Sequence, residues 1–391
     1  MTSQALPHRE RRTILLAHAA FVLTGVVVTM LGPLIPILIA RWTISDAAAG
    51  GLFTAQFTGS TLGTVLSSFL IPRRGFRVVL ALSLFWMAIG IMALALATWP
   101  AGVGAVFLYG IGFGIAIPTA NLLVSRMYPE NDAGPLNLLN MSWGIGAIAG
   151  PIAISALVGE YRISIFFWML AALLVGCGLA VATSSIRKDV PGPEKTGSEP
   201  SIADRSGKLN WQLAALFGFL FFIYVGTENA FSGWIASYAK RLGDAGSMWA
   251  LTPSFFWLTL VGGRGFAPLA LRRFSSRTIA SAGLVLACVG TITLIASDHL
   301  RTTVLSALIA GLGFASVYPI MISGLSRHFG DQAHRIAGFT FALAGMGGAV
   351  LPWVVGFVAD KTGSLRLGLI VPLAGAITML VLQPAEGRNI E

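Results

Sequence analysis

Apolar residues run along the chain in blocks long enough to cross a bilayer, which takes about 20 mainly apolar residues. Short polar stretches separate them. The blocks predict helices 1 to 12 near 14–39, 48–71, 77–98, 102–126, 134–158, 164–184, 210–238, 247–271, 277–297, 302–326, 335–358 and 365–383. The first block follows the charged start His8-Arg9-Glu10-Arg11-Arg12. It continues well past the roughly 7–15 apolar residues of a signal peptide, so it is read as an uncleaved first span. The stretch 185–209, with Pro191, Gly192, Pro193, Gly197 and Pro200, is the one long polar connection. It reads as a cytoplasmic linker between an N-terminal six-helix bundle (1–184) and a C-terminal one (210–391).

Composition sharpens the picture. The 391 residues are 55% hydrophobic and 11% charged, whereas a soluble globule carries about 25% charge. Twelve spans use about 240 residues and leave no room for a sizeable soluble domain. The net charge of +10 would elsewhere point to nucleic acid, but here the basic residues sort by side of the membrane. With the N-terminus inside, 18 of the 26 Lys and Arg fall on inward segments and 7 on outward ones, leaving Arg264 within helix 8. That is the positive-inside pattern. It predicts a multi-pass protein of a bacterial-type inner membrane, with both termini cytoplasmic and no nucleic-acid partner. Cys177 and Cys288 lie in apolar segments and support neither a disulfide nor a metal site. No phosphate loop, Ser/His/Asp set or metal-ligand spacing occurs, so neither ATP, another cofactor nor enzymatic activity is expected.

The two halves repeat. Gly110-Ile-Gly-Phe-Gly with Pro118 maps at an offset of 201 onto Gly311-Leu-Gly-Phe-Ala with Pro319. The register then holds without a gap through Ser125-Arg126 and Ser326-Arg327, Gly144 and Gly345, Gly146 and Gly347, and Pro151 and Pro352. Gly25 and Gly32 meet Gly226 and Gly233 at the same offset; at 200, Gly63, Arg73 and Arg77 meet Gly263, Arg273 and Arg277. Parallel six-helix repeats belong to transporters that rock two halves around a site near the midplane.

These features resemble the major facilitator superfamily. Tyr224-Val225-Gly226-Thr227-Glu228, followed by Trp234 and Tyr238, is similar to the Tyr-Val-Gly-x-Glu/Gln segment of the fucose–proton symporter family and its sugar-transporting relatives. Thr119-Ala120-Asn121 and Leu136-Asn137-Leu138, leading into Gly144-x-Gly146-Ala147, resemble that family's helices 4 and 5. The family's helix 4 acid would fall at Ile117, its helix 1 acid has no counterpart, and its polar group on helix 5 is replaced by Trp143. The resemblance implies an all-α membrane fold of twelve helices and transport of a sugar-like solute.

Glu228 is the sharpest candidate, because it is the one acid well inside a predicted span, and burying a charge there costs at least about 2.5–3.5 kcal/mol on insertion scales. It is expected to bind substrate or carry a coupling proton; the bland alternative is a glutamate that holds neighbouring helices. Tyr224, one turn earlier, and Asn229 are candidate partners for substrate hydroxyls, as are Asn121, Asn137, Asn140 and Gln56. Trp143, Trp234, Trp257 and Tyr318 are candidates to line the pathway. Arg264 is expected to snorkel, to gate or to neutralise an anion, and Arg73, Arg77, Arg273 and Arg277 to gate by bonding helix-end carbonyls. His18 is a weaker proton-carrier candidate.

The chain thus reads as a monomeric secondary transporter of a small, neutral, hydroxylated solute, with a proton as a possible co-substrate. The alternatives are a proton-driven exporter of amphiphilic compounds and, from another class, a non-transporting receptor or scaffold.

Overall fold

The computed structural model describes residues 8–128, 133–158, 162–184, 210–243 and 246–383. The expected linker, 185–209, lies outside them. The described chain is all-helical, and its helices supply the twelve expected spans. Among the described residues, nine helices are long and apolar enough to cross a bilayer. One of these, Asp46–Leu96, contains helices 2 and 3. Its 51 residues would reach about 76 Å if straight, far beyond a hydrocarbon core of about 30 Å. The run turns back at Gly75, whose φ of 76° and ψ of 163° suit essentially only glycine. Helix 8, Met248–Ala270, carries Arg264 and two prolines, and helix 12 is short; these two complete the twelve.

Three spans are interrupted, and proline explains each break. Helix 1 consists of His8–Thr29 and Leu31–Trp42, helix 10 of Leu300–Ala315 and Val317–Phe329, and helix 12 of Leu365–Gly368 and Ile370–Val381. Pro33, Pro319 and Pro372 each stand four residues after the last residue before the gap, namely Thr29, Ala315 and Gly368. A proline cannot donate to that carbonyl, and its ring presses against it. Pro118, Pro151 and Pro352 leave their helices continuous.

The repeat seen in the sequence reappears in the packing. A Cβ on Gly110 would strike the Gln56 carbonyl, and one on its mate Gly311 the Phe256 carbonyl. Gly146 faces Val22 where Gly347 faces Phe222, and Gly112 faces Ser83 and Met87 where Gly313 faces Gly283 and Ala287. In a bilayer, where apolar surface gains nothing from leaving lipid, such close backbone approach is what holds helices together.

The halves meet on one side. Arg241 Nη2 lies 2.5 Å from Asp46 Oδ1, Ser155 Oγ donates to the Ser247 carbonyl, Ser254 Oγ to that of Ile148, and Thr54 Oγ1 to that of Ala349. Gly32 abuts Ser232 and Gly233, and Gly50 abuts Trp353. All of these contacts lie in the half of the bundle away from the start of the chain, and they form a seal there.

Candidate functional site

Helix 7, Trp211–Arg241, carries Tyr224 and Glu228 four residues apart and so on one face. Both side chains are buried, Glu228 at 8% exposure. The Tyr224 hydroxyl lies 2.5 Å from Glu228 Oε2 and 3.0 Å from the Phe314 carbonyl on helix 10. From helix 8, Arg264 brings Nη2 to 3.5 Å from the same carboxyl oxygen, and its guanidinium lies 6.0 Å from the centre of the Tyr318 ring. The guanidinium therefore turns toward helix 7 instead of snorkelling along helix 8 to the membrane surface. Helices 7, 8 and 10 thus converge on one buried acid, one base and two phenols. The arrangement offsets the cost of burying each charge through a partner and hydrogen bonds, while the 3.5 Å separation leaves the ion pair loose.

Aromatic rings surround this group. Phe256 packs against Phe231, Trp257 and Phe314, and Trp257 meets the edge of Trp143 at 5.4 Å across the two halves. The Trp143 Nε1 and Arg264 Nε atoms are buried without a hydrogen-bond partner.

The other sequence candidates separate into groups. Asn121, Asn140 and Asn229 each donate Nδ2 to the carbonyl four residues earlier, which leaves Oδ1 as the outward acceptor. Asn137 and Asn140 are exposed on the part of helix 5 beyond the seal. Gln56, in contrast, is 1% exposed and joins three helices of the N-terminal half: its Nε2 donates to the Val28 carbonyl and its Oε1 accepts from the Tyr109 hydroxyl. Trp234 is fully buried and donates Nε1 to the Pro352 carbonyl, making it a strut between helices 7 and 11. Arg77 donates to the Ser184 carbonyl just past helix 6, Arg73 donates to Phe69 on its own helix, and Arg273 and Arg277 are exposed. His18 Nδ1 lies 2.7 Å from Ser142 Oγ, tying helix 1 to helix 5.

Sequence reasoning missed the Asp46–Arg241 pair, because a charge at a helix end is the ordinary case in a membrane protein. It also missed Tyr109, and the Phe314 carbonyl as a partner of Tyr224. Pro319 was the available signal for irregular backbone near Phe314.

The fold, with a buried polar group in its C-terminal half, is that of a secondary transporter, and comparison with known proteins agrees. The model of the Major Facilitator Superfamily matches residues 17–352, and the chain belongs to this superfamily. It is 24% identical to the glucose/mannose transporter GlcP of Bacillus subtilis over 381 residues, covering 93% of this chain and 92% of that one. The solved D-xylose–proton symporter superposes with a TM-score of 0.72 at 14% identity, over 96% of this chain and 98% of that one. The E. coli fucose:proton symporter gives 0.62 at 16% identity, over 95% and 97%. The chain is therefore a multi-pass membrane transporter of a small molecule and not an enzyme.

Proposed function

We propose that the chain takes up a small, neutral, hydroxylated solute of the sugar class together with a proton, and that Glu228 carries the proton. The carrying observation is the buried Tyr224–Glu228–Arg264 group beneath the seal between the halves. A carboxyl between a phenol and a loosely held guanidinium has a stabilising partner in either protonation state, which a carrier that gains and loses a proton needs. The sugars named for the relatives and the proton symport named for two solved neighbours support the same reading. The outward Oδ1 atoms of Asn121, Asn140 and Asn229 would accept from substrate hydroxyls, and Trp143 and Trp257 offer apolar faces to a sugar ring.

Arg73, Arg74 and Arg77, with Arg272, Arg273 and Arg277, lie at the end of the molecule where the chain starts. By the positive-inside rule that end is cytoplasmic. The seal then faces outward, and the conformation is open to the inside, in the inner membrane of a bacterium.

The test is Glu228→Gln in proteoliposomes under an imposed proton gradient, with a panel of labelled sugars. Concentrative uptake should be lost while sugar exchange without a gradient persists; undiminished accumulation would overturn the coupling role. The aromatic surround of Trp143, Trp257 and Phe256 favours a second reading, export of amphiphilic compounds. Thermal-shift screening of sugars against hydrophobic cations separates the two.

A further inference from the structure

A tyrosine hydroxyl has one hydrogen to donate, yet two oxygens stand within reach of Tyr224: Glu228 Oε2 at 2.5 Å and the Phe314 carbonyl at 3.0 Å. Tyr224 is 1% exposed and Phe314 0%, so solvent does not supply the missing donor. A charged Glu228 and a carbonyl are both acceptors, and with one hydrogen between them one contact is left as two facing lone pairs. With a proton on Glu228 the count closes. The carboxyl donates to the Tyr224 oxygen, and Tyr224 donates to Phe314.

Phe314 lies on the last turn of helix 10 before its interruption at Ser316. Pro319 leaves the neighbouring Ala315 carbonyl without its helical donor, and the Phe314 carbonyl accepts from the Ser316 N–H at the break. A side-chain donor from Tyr224 therefore adds a hold at a weak point in the helix. The arm beyond the break, Val317–Phe329, begins with Val317 and Tyr318, and it is this Tyr318 that lies beneath Arg264. Its far end packs in a hydrophobic cluster of its own, in which Leu325 and Phe329 meet Phe217, Phe221, Ile336 and Ala344, separate from the main core. The arm thus starts in the main core at Val317, ends in this second cluster, and is joined to the rest of helix 10 at a broken turn.

We propose that Tyr224 is a positioning residue that transmits the proton on Glu228 to the bend of helix 10. Protonated Glu228 directs the Tyr224 hydrogen to Phe314 and holds the bend. When the proton leaves Glu228 for water on the open side, the hydrogen of Tyr224 turns to the carboxylate and Arg264 closes on the new charge. The Phe314 carbonyl then loses its side-chain donor and keeps only the Ser316 N–H across the break, and Tyr318 loses the cation above it. Tyr224 keeps its single hydrogen throughout, so one proton leaves and no other bond to hydrogen breaks. The Val317–Phe329 arm is released at the hinge. Among the described residues, the ionisable groups facing Glu228 are Tyr224 on its own helix, Arg264 on helix 8 and Tyr318 on helix 10. This inference rests on Glu228 as the proton site.

The experiment uses the full chain with Cys177 and Cys288 replaced by Ser and spin labels on Arg126→Cys and Arg327→Cys, at the matching ends of helices 4 and 10. Pulsed electron paramagnetic resonance reads the distance between them at acidic and alkaline pH in lipid nanodiscs. The unsubstituted site should show a pH-dependent shift, and Glu228→Gln should hold the acid-form distance at both pH values. Tyr224→Phe should lose the shift while a pH electrode still records uptake of one proton per chain. Pro319→Ala, which restores a backbone donor and mends the helix, should reduce the shift with Tyr224 in place. A full shift in Tyr224→Phe or in Pro319→Ala overturns the inference, as does the absence of any shift with the unsubstituted site. A full shift in Glu228→Gln overturns the assignment of the proton to Glu228 itself.

Discussion

Arg241 at the end of helix 7 pairs with Asp46 at the start of helix 2, 195 residues earlier, and so joins the two halves of the molecule at 2.5 Å. Asp46 also presents its carbonyl to Gly356 on helix 11. One residue thereby touches two helices of the opposite half, at the rim of the seal. Alternating access requires these contacts to break whenever the molecule opens on that side.

Asp46→Asn should bias the molecule toward that opening. The Arg241 side chain is 41% exposed, and an exposed pair contributes only about 0.2–1 kcal/mol, so the opening equilibrium should move by no more than about fivefold. The rate at which a membrane-impermeant maleimide labels Ser232→Cys, beside Gly32, measures it. The effect should shrink in high salt.

Gly146→Ala and Gly347→Ala should destabilise alike. Each new Cβ would collide with a main-chain carbonyl, of Val22 or of Phe222, and overpacking of this kind costs about 1–3 kcal/mol. Gly134→Ala is the control, since nothing lies within 4 Å of its Cβ; the alanine should leave stability unchanged or raise it slightly. Thermal unfolding in one detergent compares all three.

Gln56→Leu should cost about 1–3 kcal/mol, because the buried Tyr109 hydroxyl loses its acceptor. Adding Tyr109→Phe removes the stranded group and should recover much of that loss. Transport should recover with it, as expected of a residue that joins helices. Recovery of stability without transport would instead make Gln56 a substrate ligand.

Trp143→Phe removes an indole N–H that has no hydrogen-bond partner in this conformation. Thermal stability should therefore fall less than in Gln56→Leu. Substrate affinity should drop by about fivefold, the worth of one net hydrogen bond of about 1 kcal/mol, if the indole meets cargo when the halves close. Equilibrium binding of labelled sugar checks this.

The membrane class, the helix positions, the repeat and the oddness of Glu228 were legible in the sequence because each needs only a local window or a comparison of the chain with itself. Hydropathy over about 20 residues marks a span whatever it packs against, and a carboxyl in such a span stands out without any partner being known. Tyr224 could be placed beside Glu228 for the same reason, since four residues along a helix is one turn. The sequence also marked Pro319 and its mate Pro118 as equals, although only helix 10 breaks.

Tertiary structure alone decided what faces what. Arg264 comes 36 residues after Glu228, and whether its guanidinium reaches the membrane surface or the carboxyl depends on how helix 8 is rotated against helix 7. Rotations of other helix pairs place the Tyr224 hydroxyl between Glu228 and the Phe314 carbonyl, turn Gln56 into the N-terminal core and make Trp234 a strut to Pro352. A hydropathy pattern is nearly blind to such rotations, because lipid-facing and buried positions in a membrane helix are both apolar. The composition put the polar groups into the bilayer, and the crossing of the helices selected their partners.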